Sequence, residues 1–316
     1  MTETTKEIFE NYEIRKTASQ KSKFIDYTVK KCGEMGYSAT VESKKGKSPK
    51  NIVVGNPEVA KVIFTAHYDT CPRLPVPNFI TPKSFGIYLL YQILLTVGIL
   101  AIPMLIALGV RFLLNTLGAD ELYSELAYSI LKAAGIVGIL FLLMAGPANP
   151  HTANDNTSGV TVLFDIMRDL PEELRDKVAF VFFDLEEVGL VGSSAFASRR
   201  KGKLNAIPVF NFDCISDGET ILFAMRKGAR DLAEIIEKSF APDGKFSIDI
   251  PRKGAFYPSD QVNFKRGVGV AALKKNKRGI LYMNKIHTAN DTVYCEDNIE
   301  FIKNGAISLA KAFAEV

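Results

Sequence analysis

The chain has 316 residues, 47% of them hydrophobic, and a formal net charge of +4. That length and composition can bury a large α/β core, and so mild a charge gives no argument for a nucleic-acid partner. The four cysteines (Cys32, Cys71, Cys214 and Cys295) are scattered without a C-x-x-C pair, which fits reduced thiols better than a disulfide framework.

Residues 3–32 read as mostly amphipathic helix, with Ile8, Tyr12, Ile14, Phe24, Tyr27 and Val29 among its apolar positions. "GYSATVE", "NIVVG" and "KVIFTAH" read as short strands, and the Pro-rich "PRLPVPNFITPK" as a linker. The next 27 residues, Ser84 to Val110, carry no charge, and about 20 apolar residues suffice to cross a bilayer. A second apolar run, Leu126 to Gly146, holds one charge, Lys132, near its start, where it can snorkel. The short stretch between the runs is net acidic. Together they predict a transmembrane helical hairpin, with a pair of buried core helices as the alternative. Pro103 would kink the first helix or be absorbed by neighbouring helices, and Gly135 and Gly138 would permit close approach of the second. Beyond the hairpin, Ser158–Leu170 reads as a helix stopped by Pro171. Val178–Phe183, "AIPVFNFD" and "TILFAM" read as strands, Arg230–Phe240 as helix, "GVGVAAL" as a buried strand, and Asn298–Glu315 as a closing helix. Strands alternating with helices predict an α/β fold, a mixed, mostly parallel sheet covered by helices on both faces.

In such sheets ligands bind beyond the carboxyl ends of the strands, so the acids and histidines there are the candidates for chemistry. "VIFTAHYD" ends in His67 and Asp69, "FVFFDLEE" in Glu186 and Glu187, and "VFNFD" in Asp213. Asp155 lies in "HTANDNTSG" just before a helix, and His287 in "IHTANDT". Adjacent carboxylates at the end of a core strand repel and are costly to desolvate, so cations must compensate the set. Imidazole with carboxylate suits Zn²⁺, and a set this size suits two ions bridged by one carboxylate. Singly, His67 would be a structural histidine, Asp155 a helix cap or turn former, and Asp213 a loop cap; their joint occurrence in one order argues against that.

The ordered set H-x-D, A-N-D-N-x-S-G, D-x-E-E-x-G-L-x-G-S, F-D at a strand end, a later S-D and a final H-T-x-x-D-T resembles the M28 family of co-catalytic zinc metallopeptidases. The resemblance covers about residues 1–82 and 147–316. It implies a zinc aminopeptidase-like fold and two Zn²⁺ ions, for which Co²⁺ or Mn²⁺ are substitutes. It also implies that His67 and Asp213 bind one ion and Glu187 and His287 the other, with Asp155 bridging. Glu186 would be the general base and Asp69 would orient His67. A strained, cis Asp155–Asn156 peptide is implied as well. One departure is Ile286, where some family aminopeptidases carry a tyrosine that helps hold the oxyanion. Tyr257 and Tyr282 are the candidates to replace it. His151, four residues before Asp155, is a further candidate substrate contact or merely the end of the second membrane helix. Cys214, next to Asp213, is a further ligand or core packing; a thiolate beside an all-nitrogen-and-oxygen site would be unusual, which favours packing.

The hairpin, residues 84–146, would be inserted into one metallohydrolase domain made of residues 1–83 and 147–316, with metal ligands at both ends of the insert. The N-terminal stretch lacks the apolar core of a signal peptide, and residues 1–83 carry 14 Lys/Arg against 9 Asp/Glu, which by the positive-inside rule puts the catalytic domain on the cytoplasmic side. The expected function is a membrane-anchored di-zinc peptidase, an aminopeptidase acting near the membrane. The alternatives are a carboxypeptidase or deacylase of lipophilic or N-acyl substrates, and a non-catalytic interaction protein. Expected partners are a peptide or amide substrate and membrane lipid, with no nucleic acid; a homo-oligomer is left open. The basic "SRRKGK", Ser198–Lys203, is a solvated turn or a contact for anionic lipid head groups.

Overall fold

The structure, a computed structural model, describes residues 1–241 and 244–315. Two N-terminal helices, α1 (Glu3–Tyr12) and α2 (Ala18–Glu34), lead into β1 (Ala39–Lys44), β2 (Lys47–Val54) and β3 (Val62–His67). The long helices α3 (Phe85–Thr116) and α4 (Glu121–Ala145) follow. An irregular turn, Ala153–Thr157, then opens α5 (Ser158–Asp169). Next come β4 (Val178–Phe183), α6 (Val191–Arg199), β5 (Val209–Phe212), β6 (Thr220–Met225), α7 (Ala233–Ser239), β7 (Ser247–Asp249), β8 (Gly267–Lys275), β9 (Leu281–Tyr282) and α8 (Glu296–Ala314).

The strands form one mixed sheet in the order β1-β2-β4-β3-β5-β8-β6-β7, with β9 paired to β8. The central pairs β4/β3, β3/β5 and β5/β8 are parallel, so β3, β4, β5 and β8 all point their carboxyl ends to one edge. β3 and β4 are buried along their whole length, which their unbroken apolar sequences require. The main core packs α1, α2, α5, α7 and α8 on one face through residues such as Phe24, Phe64, Phe164, Phe180, Phe210 and Leu309. A smaller cluster under α6, including Phe183, Phe196 and Phe264, covers the other face.

The predicted single N-terminal helix is two. Thr17 closes a capping box with Gln20 at the start of α2, and the link between the helices carries a fully buried Arg15. The 230–240 helix is shorter than expected, because Lys227–Leu232 is a 3-10 turn. The alternative of two buried core helices for 84–146 does not hold. α3 and α4 pack on each other, and their windows of highest hydropathy are 11% and 0% buried. Leu105, Phe112, Val137 and Phe141 are among the side chains left exposed. Both helices are long and apolar enough to cross a membrane. Pro103 sits against Gly135, where a Cβ would come within 2.7 Å of the proline ring. Gly138 faces open space, so only one of the two glycines serves the close approach.

Candidate active site

The carboxyl edge of the sheet brings His67, Asp155, Glu186, Glu187, Asp213 and His287 together. Asp155 stands at the centre, with one oxygen toward each histidine. Its Oδ1 lies 3.3 Å from His67 Nε2 and its Oδ2 lies 3.1 Å from His287 Nε2. His67 Nε2 is also 3.4 Å from Asp213 Oδ1, and His287 Nε2 is 3.2 Å from Glu187 Oε2. Two donor groups result, His67–Asp155–Asp213 and His287–Asp155–Glu187, sharing one carboxylate.

The local sequence explains how Asp155 is held. Its own N–H and that of Asn154 donate to the two oxygens of Asp291, each at 3.0 Å. Asn154 Oδ1 accepts from the N–H groups of Ser216 and Asp217. Asn156 Nδ2 donates to Phe212 O at 3.0 Å, and its Oδ1 accepts from Gly159 N. A Cβ at Gly159 would lie 2.3 Å from Phe212 O, so only glycine fits there. The run A-N-D-N-T-S-G is therefore a set of ties binding the Asp155 loop to the ends of β3 and β5. The Asp155–Asn156 peptide is cis. Leu185, Cys214 and His287, each at or beside a site residue, have φ of 59°, 57° and 63°. A non-glycine residue in that region costs about 1–3 kcal/mol and persists where the surroundings dictate it.

The three acids after β4 take different environments. Asp184 turns away from the site, accepting from Lys21 Nζ at 2.7 Å and Lys50 N at 2.9 Å. Glu187 points to His287, while its Oε1 is buried with no hydrogen-bond partner. Glu186 groups with His67 and Glu187, their ligand atoms within 4.8 Å of one another. Burial pushes the Glu186 carboxyl well above the usual range, and the neighbouring acids Asp213, Asp260 and Glu187 add to it against the pull of His67. Burial opposes ionisation at Asp155 too, but hydrogen bonds from His287 and His67 outweigh it and hold the carboxyl below its ordinary value. Burial would lower both histidines, yet the surrounding carboxylates raise them.

Asp69 lies against His67, as expected: its backbone oxygen is 3.1 Å and its carboxylate Oδ1 3.6 Å from His67 Nδ1. The carboxylate also accepts from Glu186 N and Glu187 N at 3.0 and 3.2 Å, holding the turn that carries both glutamates. Tyr257 is buried and its hydroxyl donates to Asp213 O at 2.9 Å. Tyr282 packs on Phe79 with ring centroids 6.1 Å apart. His151 is half exposed, its Nδ1 3.7 Å from Glu13 Oε1. In the basic turn, Arg199 and Arg200 both pair with Glu42 and Lys203 pairs with Glu58, so acids of this chain occupy those cations.

Sequence reading gave no role to Asp291, Asp260 or Arg15. Asp260 is fully buried with neither oxygen hydrogen-bonded. The S-D motif was its signal. Nothing in the sequence marked Arg15.

A sequence model of peptidase family M28 matches residues 139–310, more than half of the chain. The chain belongs to peptidase family M28. A search of curated proteins returns no match. Solved structures agree in fold. The LapA aminopeptidase of Legionella pneumophila is 13% identical with a TM-score of 0.57, covering 97% of this chain and 69% of its own. A glutaminyl cyclase of Porphyromonas gingivalis is 14% identical, TM-score 0.56, covering 98% of both chains. A leucine aminopeptidase precursor from Bacteroides thetaiotaomicron is 13% identical, TM-score 0.52, covering 96% and 93%. M28 enzymes are zinc-dependent peptidases, and the donor set of this one fits the metal. Imidazole and carboxylate atoms converge within 4.8 Å, and the buried Glu187 Oε1, which has no hydrogen-bond partner, is an acceptor that a cation there would satisfy.

Proposed function

We propose that this M28 peptidase is a membrane-anchored di-zinc aminopeptidase whose active site opens close to the cytoplasmic membrane surface. The observation that carries the reading is Asp155, which offers one oxygen to each of two histidine-carboxylate groups. His67 and Asp213 would hold one ion, His287 and Glu187 the other, with Asp155 shared. When bound, zinc would polarise the scissile carbonyl and acidify the attacking water.

The chain's own residues do the rest. Glu186 lies in the same group as His67 and Glu187, where it can take a proton from the attacking water and return it to the leaving nitrogen. Asp69 fixes Glu186 and Glu187 in register through their backbone N–H groups. Asp291 does the same for Asp155.

In this reading residues 1–83 and 147–316 form the hydrolase domain and residues 84–146 the anchor. Backbone contacts tie down the segments that enter and leave the anchor. Pro72 bridges Ala148, Ile80 bridges Met283, and Leu74 N donates to His287 O at 2.7 Å. The segments that flank the hairpin are thus paired with each other and with the segment that carries His287.

The test combines metal analysis of the detergent-purified protein with turnover of aminoacyl anilides, N-acyl amino acids and N-terminal glutaminyl peptides. Two zincs per chain and anilide turnover are expected. Glu186→Gln should keep both metals and lose at least ~10²-fold in turnover, whereas Glu187→Gln should lose one metal. Turnover of only N-acyl amino acids would replace the aminopeptidase with a deacylase. Fewer than two metals after zinc reconstitution would remove the di-zinc reading.

A further inference from the structure

We propose that Cys71 is a further ligand, as a thiolate, to the ion held by Glu187 and His287; the proposal rests on the metal assignment above. Cys71 is fully buried four residues beyond the end of β3. Its Sγ, a Glu187 carboxylate oxygen and a His287 ring nitrogen all lie within 4.8 Å of one another. Glu187 provides a second observation at the same place. Its side chain is 6% exposed, Oε2 meets His287 Nε2, and Oε1 is buried with no hydrogen-bond partner. A cation placed among the three donors would satisfy Oε1 together with the sulfur and the imidazole.

The backbone fixes the thiol beside the histidine. Asn149 N donates to Cys71 O at 3.2 Å, Pro72 bridges Ala148, and Leu74 N donates to His287 O. The short segment from Cys71 to Leu74 is thus pinned at both ends, at Cys71 to Asn149 and at Leu74 to His287. Cys214, the other thiol near the site, is differently placed. Its Sγ donates to Asp213 Oδ1 at 3.2 Å, and the residue packs into the apolar cluster with Leu222 and Tyr257. One buried cysteine is therefore committed to a hydrogen bond and the other faces two candidate metal ligands.

Ligation forms an Sγ–zinc bond and releases the thiol proton to solvent, with no change of oxidation state. It makes the two ions unlike each other. The His67–Asp213 ion would have nitrogen and oxygen donors only, and the His287–Glu187 ion a soft sulfur in addition, which favours zinc over harder ions there.

The test is zinc K-edge X-ray absorption on the full-length protein in detergent, loaded with two equivalents of zinc. Wild type, Cys71→Ser and Cys214→Ser are compared. A sulfur shell at about 2.3 Å is expected in wild type and Cys214→Ser and absent from Cys71→Ser. The zinc that His287→Ala removes should bind Cys71→Ser at least ~10-fold less tightly. Cys71→Ala gives the same readout if the serine variant does not fold. Two bound zincs with only nitrogen and oxygen neighbours in wild type would overturn the proposal, as would a sulfur shell that survives in Cys71→Ser. Stoichiometry separates this from failure of the parent assignment. If His287→Ala removes one zinc but wild type shows no sulfur, Cys71 alone is excluded. If His287→Ala removes none, the ion site itself is misplaced and the thiolate falls with it.

Discussion

Arg15 carries a guanidinium into the interior with no acid within ion-pair distance among the described residues. It is fully buried. Its Nε donates to Tyr68 O at 2.5 Å, its terminal nitrogens to Thr157 Oγ1 at 3.2 Å, and one of them to Tyr12 O and Glu13 O. Tyr68 lies between His67 and Asp69, and Thr157 two residues after Asp155, so one side chain fastens the loops behind both. Burial draws the guanidinium down to about 10, while Glu13, Asp69 and Asp155 pull the other way. Arg15 thus answers part of the negative charge of the site at a distance. Replacing it by Met leaves at least two buried acceptors without donors, each costing about 1–3 kcal/mol. We expect Arg15→Met to lose about 3 kcal/mol in denaturant titration of the detergent-solubilised protein. Arg15→Lys should recover less than half of it, because an ammonium cannot reproduce the planar fork. Full recovery by Lys would show that charge alone matters at this position. Ligand candidates were legible in the sequence because acids and histidines at strand ends are unusual and their order is informative. Arg15 and Cys71 were not, and Asp260 was marked only as part of the S-D motif, without a role. A single arginine in a polar stretch, or a cysteine in a loop, becomes meaningful only when the fold brings distant segments against it.

Elements with strong local signals were legible: β4 and β6 match their predicted bounds, Val178–Phe183 and Thr220–Met225, because buried strands write themselves as unbroken apolar runs. What escaped was short or locally ambiguous. β9 has two residues and β7 three. α6 starts from Leu190 at φ 60° without a side-chain cap. Its close approach to β4 depends on Gly192, where a Cβ would lie 2.1 Å from Asp184 O. The break between α1 and α2 did have a signature, Thr17 followed three residues later by Gln20. The packing of α5 against α8 gives an element-scale prediction. Asp169, at the end of α5, accepts from Arg168 at 2.7 Å and lies 2.8 Å from Lys303 Nζ on α8. The Arg168 hydrogen bond, ahead of Lys303, holds its carboxyl down to about 2. A carboxyl depressed in the folded state adds stability above its unfolded value of about 3.9 and loses that stability as pH falls toward about 2. The carboxylate is partly exposed, so the effect is modest. Asp169→Asn should be slightly less stable than wild type at pH 7, with the difference shrinking between about pH 4 and 2. Urea midpoints measured across that range check it; a difference that stays constant with pH would assign it to packing.

At the scale of the molecule the question is how a hydrolase and an apolar hairpin share one chain. α3 has 32 residues, more than the ~20 that span a bilayer, and α4 has 25. Arg111 near the far end of α3 pairs with Glu125 on α4 at 2.5 Å, so the hairpin is clamped by charge beyond its apolar length. Lys132 Nζ sits 4.8 Å from the Tyr128 ring, so its charge has a local partner. At the near end, Phe85 and Tyr88 meet Phe256, and Tyr91 meets Phe79, with centroids 5.0–5.4 Å apart. Aromatic rings at such a boundary are the usual companions of a membrane interface. The hairpin therefore has a charged tip, an apolar shaft and an aromatic base joined to the His287 segment. We expect full-length protein to stay with membranes through high salt and carbonate, and a cysteine placed at Gly118 to react only with a reagent applied from the side opposite the catalytic domain. Joining Pro82 to Pro147 by a short flexible linker should give a soluble protein that keeps both zincs, since no candidate ligand lies in the excised segment. It should keep turnover of small anilides within a few-fold and lose turnover of membrane-held peptides selectively. Release of the full-length chain by carbonate would show that the apolar shaft is covered by something other than lipid. Equal loss on soluble and membrane-held substrates would place the hairpin in the catalytic geometry rather than in substrate delivery.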